Sequence, residues 1–319
     1  MSQIGLLRNP ASSGNRRAGP LALPAGVPVA EPTNPAATGE AVATLLAQGV
    51  RRIAIDGGDG TVRLAIAALL RHGAAGDVAL VLLRRGNTNL FYREIGGWGG
   101  ALPEVGAGTL HQRPVLCVRG AGVEHYGMIL GLGAYERASR LAAARPGPRG
   151  GAGVAAAILR ALAQAAFQGP EGPWRCGVAL AIRHDGAEVE AGPRLLFTAT
   201  VAERRLPFGL DPFGRDGAQG KIRWLDVDAP GRRLLAAAPL VLMGRQPQWL
   251  TAAGYRRGRS DGIEIQGASA LVIDGDVVEN DPAATLSIGL SPALQFLVPE
   301  APQQARAPAV EPAEGSRAR

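Results

Sequence analysis

The sequence predicts an α/β + β protein, in which a Rossmann-like α/β domain over residues 1–112 precedes a β-sandwich-like domain over residues 113–298. Apolar strands alternate with helices in the first part, a pattern typical of a parallel sheet. Many short strands separated by turns fill the second part, which indicates a sandwich or barrel. Residues 299–319 are rich in Pro, Ala and Gln without apolar periodicity, so we expect a disordered tail there.

In the first domain, strands are predicted over residues 3–9, 52–56 and 78–83, and a helix is predicted over residues 38–48. A polar turn follows each of these strands: Asn9–Asn15, Asp56–Thr61 and Arg84–Phe91. Because parallel α/β sheets bind ligands at the carboxyl ends of their strands, we expect the three turns to form one site.

The second of these turns reads Asp56-Gly57-Gly58-Asp59-Gly60-Thr61. Its glycines permit a close approach of the backbone to a ligand. A turn between a strand and a helix also directs free N–H groups and the positive end of the helix dipole at that ligand. The turn therefore indicates a phosphate site in which Asp59 would hold a water molecule or a magnesium ion. The alternative is an ordinary glycine-rich turn.

The second domain carries its short strands near residues 115–118, 174–182, 195–201, 222–227, 263–266, 271–273, 286–290 and 294–298. Helices are predicted near residues 135–144 and 154–167. Asp274-Gly275 lies between two of the strands, and on its own this dipeptide indicates a hairpin turn.

Composition restricts the function classes. The 319 residues carry a formal net charge of +7, and the two cysteines, Cys117 and Cys176, have no metal-ligand spacing. No signal peptide is visible at the start, and the longest apolar run, Leu234–Met243, is far short of the roughly 20 residues that span a bilayer. We expect a cytoplasmic protein.

Much of the positive charge lies in residues 203–259, which contain eleven basic and five acidic residues. Aromatic and aliphatic side chains, among them Phe208, Phe213 and Trp249, are interleaved with these arginines. This mixture favours contact with anionic lipid at the inner membrane surface over contact with nucleic acid, which we do not expect. The alternative is a solvated arginine-rich surface.

Several motifs of other enzyme classes are missing. Lys221, the one lysine, lies in neither a P-loop nor a kinase strand motif. Arg63 stands where a dinucleotide fingerprint needs its third glycine. A phosphotransferase built from this sequence must therefore bind phosphate through backbone amides and arginine.

The glycine turn resembles the signature shared by diacylglycerol kinases, sphingosine kinases, NAD kinases and phosphofructokinases. Three further segments resemble the lipid-kinase branch: Asn9-Pro10-Ala11-Ser12, Gly86-Asn87-Thr88-Asn89-Leu90-Phe91 and Ile273-Asp274-Gly275-Asp276. These landmarks stand in the right order over about 270 residues. The sequence thus resembles the diacylglycerol kinase catalytic-domain family, whose active site lies in the cleft between an α/β and a β-rich domain.

The resemblance implies an ATP- and Mg²⁺-dependent kinase that phosphorylates diacylglycerol or a related lipid at the membrane surface. In that case Asp274 would act as the base toward the lipid hydroxyl, Asp276 would replace the family's glutamate, and Asp59 would reach magnesium through water. The residues implied in nucleotide binding are Asn9, Ser12, Gly57, Gly58, Asp59, Gly60, Thr61, Asn87, Thr88 and Asn89.

The sequence also departs from the family pattern. Leu90 replaces an aspartate, Asn87 replaces a threonine, and Arg63, which could meet a phosphate directly, replaces an asparagine. For the family's structural metal site, Asp211 and Asp216 are the nearest candidates. The alternative functions are a weak or inactive lipid- or nucleotide-binding relative and an NAD kinase. Oligomeric state and lipid specificity stay open.

Overall fold

A computed structural model describes residues 3–19, 21–104, 107–120, 122–143, 160–161, 163–165, 167–187, 189–205, 209–214 and 220–300. Four sequence predictions therefore fall wholly or mostly outside the described residues. They are the helix near 154–167, the tail beyond residue 300, Phe208 and Asp216.

The predicted α/β + β fold class is confirmed, and its first domain is built on a six-stranded sheet. The strands are β1 (Gln3–Arg8), β2 (Val29–Ala30), β3 (Val50–Asp56), β4 (Ala79–Leu82), β5 (Thr109–Arg113) and β17 (Leu294–Val298). Their order is β2-β1-β3-β4-β17-β5, and every pair is parallel except β17 with β5. The helices are α1 (Ser13–Ala18), α2 (Thr38–Ala47), α3 (Asp59–Arg71) and α4 (Leu90–Ile95).

Burial on both faces explains the near-continuous apolar character of β3 and β4. The helix α3 is amphipathic, and its buried side chains, among them Val62, Ile66 and Leu69, pack against this sheet. The predicted strands and the helix at 38–48 match β1, β3, β4 and α2. The domain boundary needs one correction, because residues 294–298 lie in the first sheet and not in the second domain.

The second domain is one antiparallel sheet of eleven strands within the described part of the chain. Its strands are β6 (Leu116–Gly120), β7 (Val123–Gly127), β8 (Ile129–Gly133), β9 (Val178–His184), β10 (Glu190–Thr200), β11 (Ile222–Asp228), β12 (Tyr255–Ser260), β13 (Ile263–Gln266), β14 (Ala270–Ile273), β15 (Asp276–Glu279) and β16 (Leu286–Leu290). Its helices are α5 (Ala134–Ala143), α6 (Leu234–Leu242) and α7 (Gln248–Ala252).

The main path of this sheet runs β15-β14-β8-β10-β9-β13-β16-β6-β7, and β11 and β12 continue from β10. The two ends of the path come together, because Gly127 at the end of β7 packs against Ile273 and Asp274. The helix α3 of the first domain contacts β7 at the same place. The hairpin between β14 and β15 is thereby brought to the boundary between the domains.

Some apolar side chains of the arginine-rich stretch 203–259 are buried. Phe213, Leu250 and Tyr255 are buried in a small core under α6. Of the aromatic side chains that the sequence suggested for lipid contact, Phe213 is therefore not at the surface. No helix in the described residues is long and apolar enough to cross a bilayer.

Candidate functional site at the domain boundary

The three polar turns predicted to share a site lie together at the carboxyl ends of β1, β3 and β4. The Asn9 amide donates to the Thr61 hydroxyl at 3.0 Å, and the Ser13 hydroxyl donates to Asn87 Oδ1 at 2.6 Å. Asn15 links the first two turns, because its amide donates to the carbonyl oxygens of Asn9 and Asp56, both at 2.9 Å. Side chains from each turn thus hold the others in place.

The glycines at this edge are required by close packing of the turns. A Cβ on Gly86 would lie 2.9 Å from the Gly58 Cα atom, and one on Gly57 would lie 2.6 Å from the Thr61 hydroxyl oxygen. A Cβ on Gly14 would overlap the backbone of Arg85, whose carbonyl accepts the Gly14 N–H at 3.0 Å. The turns approach at distances that no larger residue allows.

The helix α3 begins inside the glycine motif, two residues after Gly57. Gly58 is its N-cap, and no side chain caps this end. The first N–H groups of an α-helix have no acceptor within the helix, and they carry the positive end of its dipole. This end of α3, together with the backbone of Gly58 and Gly86 beside it, is therefore a cradle into which a phosphate group fits.

Asp59 joins α3 to α4. Its Oδ1 accepts the backbone N–H of Phe91 at 3.1 Å. Burial raises the pKa of the Asp59 carboxyl, while backbone N–H groups of residues 89–91 and the Arg63 guanidinium act in the opposite direction. One carboxylate beside a phosphate cradle fits Mg²⁺, which usually binds through one or two carboxylates, substrate phosphates and retained waters.

The remaining predicted nucleotide ligands make local hydrogen bonds. Ser12 caps α1, because its hydroxyl accepts the Asn15 N–H at 3.3 Å. The Asn89 side chain closes its own turn through both the N–H and the carbonyl of Gly86, at 2.8 and 2.7 Å. Thr88 is half-buried in the same turn. These side chains shape the turns that surround the cradle.

Asp274 occupies a two-residue hairpin turn between β14 and β15, in which Asp274 and Gly275 both have positive φ. Its Oδ1 accepts the N–H groups of Met128 and Ile129, both at 2.9 Å. Burial raises the pKa of Asp274 to about 7, although these N–H groups and the Arg63 guanidinium favour the ionised form. A carboxylate with that pKa is suited to proton transfer at neutral pH.

Gly127 makes room for this carboxylate. A Cβ at that position would lie 2.7 Å from Asp274 Oδ2 and would also overlap the Ile273 side chain. Tyr135, the second residue of α5, lies near the Asp274 carboxylate. Burial, together with the nearby Asp274 carboxylate, raises the pKa of Tyr135 to about 12, so its phenol remains protonated.

Arg63 spans the boundary between the two domains. It projects from the second turn of α3, and its Nη1 donates to the Ile273 carbonyl at 2.9 Å while its Nη2 pairs with Asp276. Asp276 is largely exposed, with 65% of its side chain accessible. The predicted catalytic pair therefore differs in environment: Asp274 is held by the backbone and Asp276 by Arg63.

Asp56, at the end of β3, is fully buried between two arginines. Its Oδ2 accepts from Arg8 Nε at 3.1 Å, and its Oδ1 lies 3.3 Å from Arg85 Nε. Removing one partner of a buried ion pair is strongly destabilising, so this trio is a structural part of the edge that carries the site.

Asp211, a candidate for the structural metal site, forms a buried ion pair. Its carboxylate accepts from Arg223 Nη1 at 3.0 Å, and both side chains are buried. Within the described ranges, no group of three His, Cys, Asp or Glu residues is arranged to hold a metal ion.

Sequence reasoning missed two contributors. Gly127 belongs to no recognised motif, and Glu94 lies about one helical turn after the Gly86–Phe91 segment. The Glu94 carboxylate accepts the N–H groups of Glu203 and Arg204 at 2.5 and 3.0 Å, which ties α4 to the second domain. Glu94 is a charged residue at a buried position of α4, and no local sequence pattern marks it.

Comparisons with known proteins give one match to a family model and several similar folds. Residues 7–115 match the model of the diacylglycerol kinase catalytic domain. No curated protein matches the sequence. A diacylglycerol kinase crystal structure from Bacillus anthracis str. Sterne superposes with a TM-score of 0.59 at 13% identity, over 94% of this chain and 97% of that one.

A second diacylglycerol kinase-like structure from the same strain gives a TM-score of 0.64 at 15% identity, over 94% of this chain and 98% of that one. A third structure from this strain gives a TM-score of 0.60 at 15% identity, over 93% of this chain and 97% of that one. At these identities the structures establish the fold. Residues 7–115 are thus similar in sequence to the diacylglycerol kinase catalytic domain, and the described chain has the fold of bacterial diacylglycerol kinase-like proteins.

Proposed function

We propose that the protein is an ATP-dependent lipid kinase that transfers the γ-phosphate of ATP to the hydroxyl of diacylglycerol or a related lipid. The observation that carries this proposal is that Arg63 links two features of the site. One is the uncapped, glycine-rich N-terminus of α3, and the other is Asp274, a half-buried carboxylate whose pKa is about 7. The domain match, which implies a kinase, supports the same reaction.

In this mechanism the ATP phosphates lie on the N–H groups of the Gly58–Thr61 turn, with Asn9 and the 86–89 turn beside them. Asp274 accepts the proton of the lipid hydroxyl. The hydroxyl oxygen forms a bond to the γ-phosphorus while the bond between that phosphorus and the bridging oxygen breaks, and ADP leaves. Because phosphoryl transfer has a loose transition state, orienting the hydroxyl matters more than strong proton abstraction.

Magnesium would be held by the ATP phosphates and, through water, by Asp59, and it would neutralise the charge that develops on the phosphates. Leu90 supplies no second carboxylate at this place. Asp59 would therefore carry more of the metal site than it would with an aspartate beside it. The lipid-phosphate product would stay in the membrane, and we propose a cytoplasmic protein that acts at the inner membrane surface.

The test is a phosphotransfer screen with ATP and Mg²⁺ across diacylglycerol, monoacylglycerol, ceramide, sphingosine, phosphatidylglycerol and NAD. We expect a labelled product that partitions into chloroform. Phosphorylation of NAD alone would indicate the NAD kinase alternative. Calorimetry that detects no ATP binding in the presence of Mg²⁺ would indicate a relative without catalytic activity.

A further inference from the structure

The helix α6 is apolar on two opposite faces. Its inner face carries Ala237 and Val241, which are buried in the small core of the second domain. On its outer face, Leu235 is 70% exposed and Met243, directly after the helix, is 58% exposed. Pro239 lies between them and is also exposed. Residues four apart share one side of a helix, so Leu235, Pro239 and Met243 form a continuous strip, the α6 outer face.

Arginines flank this strip at both ends. Arg232 and Arg233 precede the helix and Arg245 follows it, and all three are exposed. The guanidinium of Arg233 lies 5.8 Å from the centre of the Trp249 ring, which holds the cation beside the helix. No acidic residue occurs in the sequence between Asp228 and Asp261. The α6 outer face is therefore apolar at its centre, and every charged residue in its own sequence segment, 229–260, is basic.

We propose that the α6 outer face docks on the surface of an anionic lipid bilayer. Leu235 and Met243 enter the boundary between headgroups and acyl chains, and the flanking arginines contact lipid phosphates. The proposal rests on the proposed function in one respect: a lipid kinase must reach an acceptor that stays in the membrane. A second copy of this chain is a poorer occupant, because a twofold contact would place the arginines of one copy against those of the other.

Co-sedimentation of the full chain with vesicles tests this proposal. We expect binding to vesicles of phosphatidylcholine and phosphatidylglycerol, and much weaker binding to phosphatidylcholine alone. Leu235→Asp and Met243→Asp should each lower the binding to anionic vesicles about tenfold or more, because each removes apolar contact and adds a repelled charge. Arg232→Gln with Arg233→Gln should lower it about fivefold for each charge removed.

Matched controls lie on the other domain. Leu110 on β5 is 57% exposed, so Leu110→Asp makes the same chemical change on a different surface. Arg51→Gln removes an exposed arginine from β3. Both controls should bind vesicles like the wild type. Thermal unfolding of every variant, followed by circular dichroism, establishes that the fold is unchanged.

Vesicle binding that Leu235→Asp leaves intact would overturn the proposal. A dimer that Leu235→Asp dissociates, without any loss of vesicle binding, would also overturn it and would assign the face to a second copy. Turnover of a water-soluble short-chain diacylglycerol separates the two proposals, since docking variants should retain it. If no variant phosphorylates any acceptor while vesicle binding still depends on α6, the proposed function fails and the docking surface stands.

Discussion

Two opposing influences act on the pKa of the Asp274 side chain. Burial favours its protonated form, whereas two backbone N–H groups and Arg63 favour the carboxylate, and the resulting pKa is about 7. The proposed base is therefore about half ionised at neutral pH. The Asp-Gly hairpin sets the backbone conformation of Asp274 and also places its carboxylate against the N–H groups of Met128 and Ile129.

Replacing Arg63 should move the pH dependence of catalysis. In the wild type, kcat/KM should rise with pH and reach half its maximum near pH 7, as Asp274 loses its proton. Arg63→Gln removes a nearby positive charge, so the pKa of Asp274 and the rising limb of the profile should shift upward by roughly one unit. Arg63→Lys, which keeps the charge, should restore much of the wild-type profile. Profiles of Arg63→Gln and the wild type that superpose would contradict this role.

The same pKa predicts a pH dependence of stability. Because the pKa of Asp274 is raised from 3.8 in the unfolded chain to about 7 in the fold, the folded state binds the extra proton between these values. Its contribution to the free energy of unfolding is therefore present below about pH 4 and is lost as the pH rises to about 7. Urea unfolding across this range should show a shallower decline for Asp274→Asn than for the wild type. An equal decline for both proteins would show that Asp274 does not hold the extra proton.

At the scale of elements, the site depends on how closely β7 approaches the hairpin after β14. Gly127→Ala should push the Asp274 carboxylate from its position, because the new Cβ would lie 2.7 Å from Oδ2. We expect kcat to fall by about tenfold or more while ATP binding, measured by calorimetry, stays unchanged.

Gly289→Ala is the matched control, since Gly289 lies in β16 of the same sheet and its added Cβ would meet nothing within 4 Å. That variant should keep the wild-type kcat. Equal losses in the two variants would mean that the effect comes from the sheet as a whole and not from Asp274.

The elements differ in how far sequence predicts them. The three turns at the strand ends could be predicted because apolar runs and glycine positions are local signals, and their convergence follows from the parallel sheet. The contact of Met128 with Asp274 joins residues 146 positions apart, and no local pattern records it. The roles of Gly127 and Arg63 appear only after the second domain has folded against the first.

At the scale of the whole molecule, the C-terminal strand β17 links the two domains. It lies between β4 and β5 in the first sheet, and its Leu294 and Phe296 are fully buried there. Sequence reasoning assigned this strand to the second domain because it follows that domain along the chain. Pairing across about 200 residues could not be inferred from its pattern alone.

A fragment of residues 1–112 should therefore not fold by itself. Without β17, the edge of β4 is unpaired and the apolar core around Phe296 is open to water. We expect no cooperative thermal transition by circular dichroism for the fragment, and recovery of one when residues 113–319 are co-expressed with it. A fragment that melts cooperatively near the temperature of the full chain would contradict this organisation.

The central claim is that Asp274, across the domain boundary from the glycine-rich end of α3, serves phosphoryl transfer to a lipid hydroxyl. The most direct measurement is the transfer of labelled γ-phosphate from ATP to a chloroform-soluble product by the wild type and by Asp274→Asn. We predict that the variant binds ATP like the wild type but that its rate of phosphate transfer is lower by about a hundredfold or more. Equal rates of transfer in the two proteins, or label found only in water-soluble acceptors, would contradict the claim.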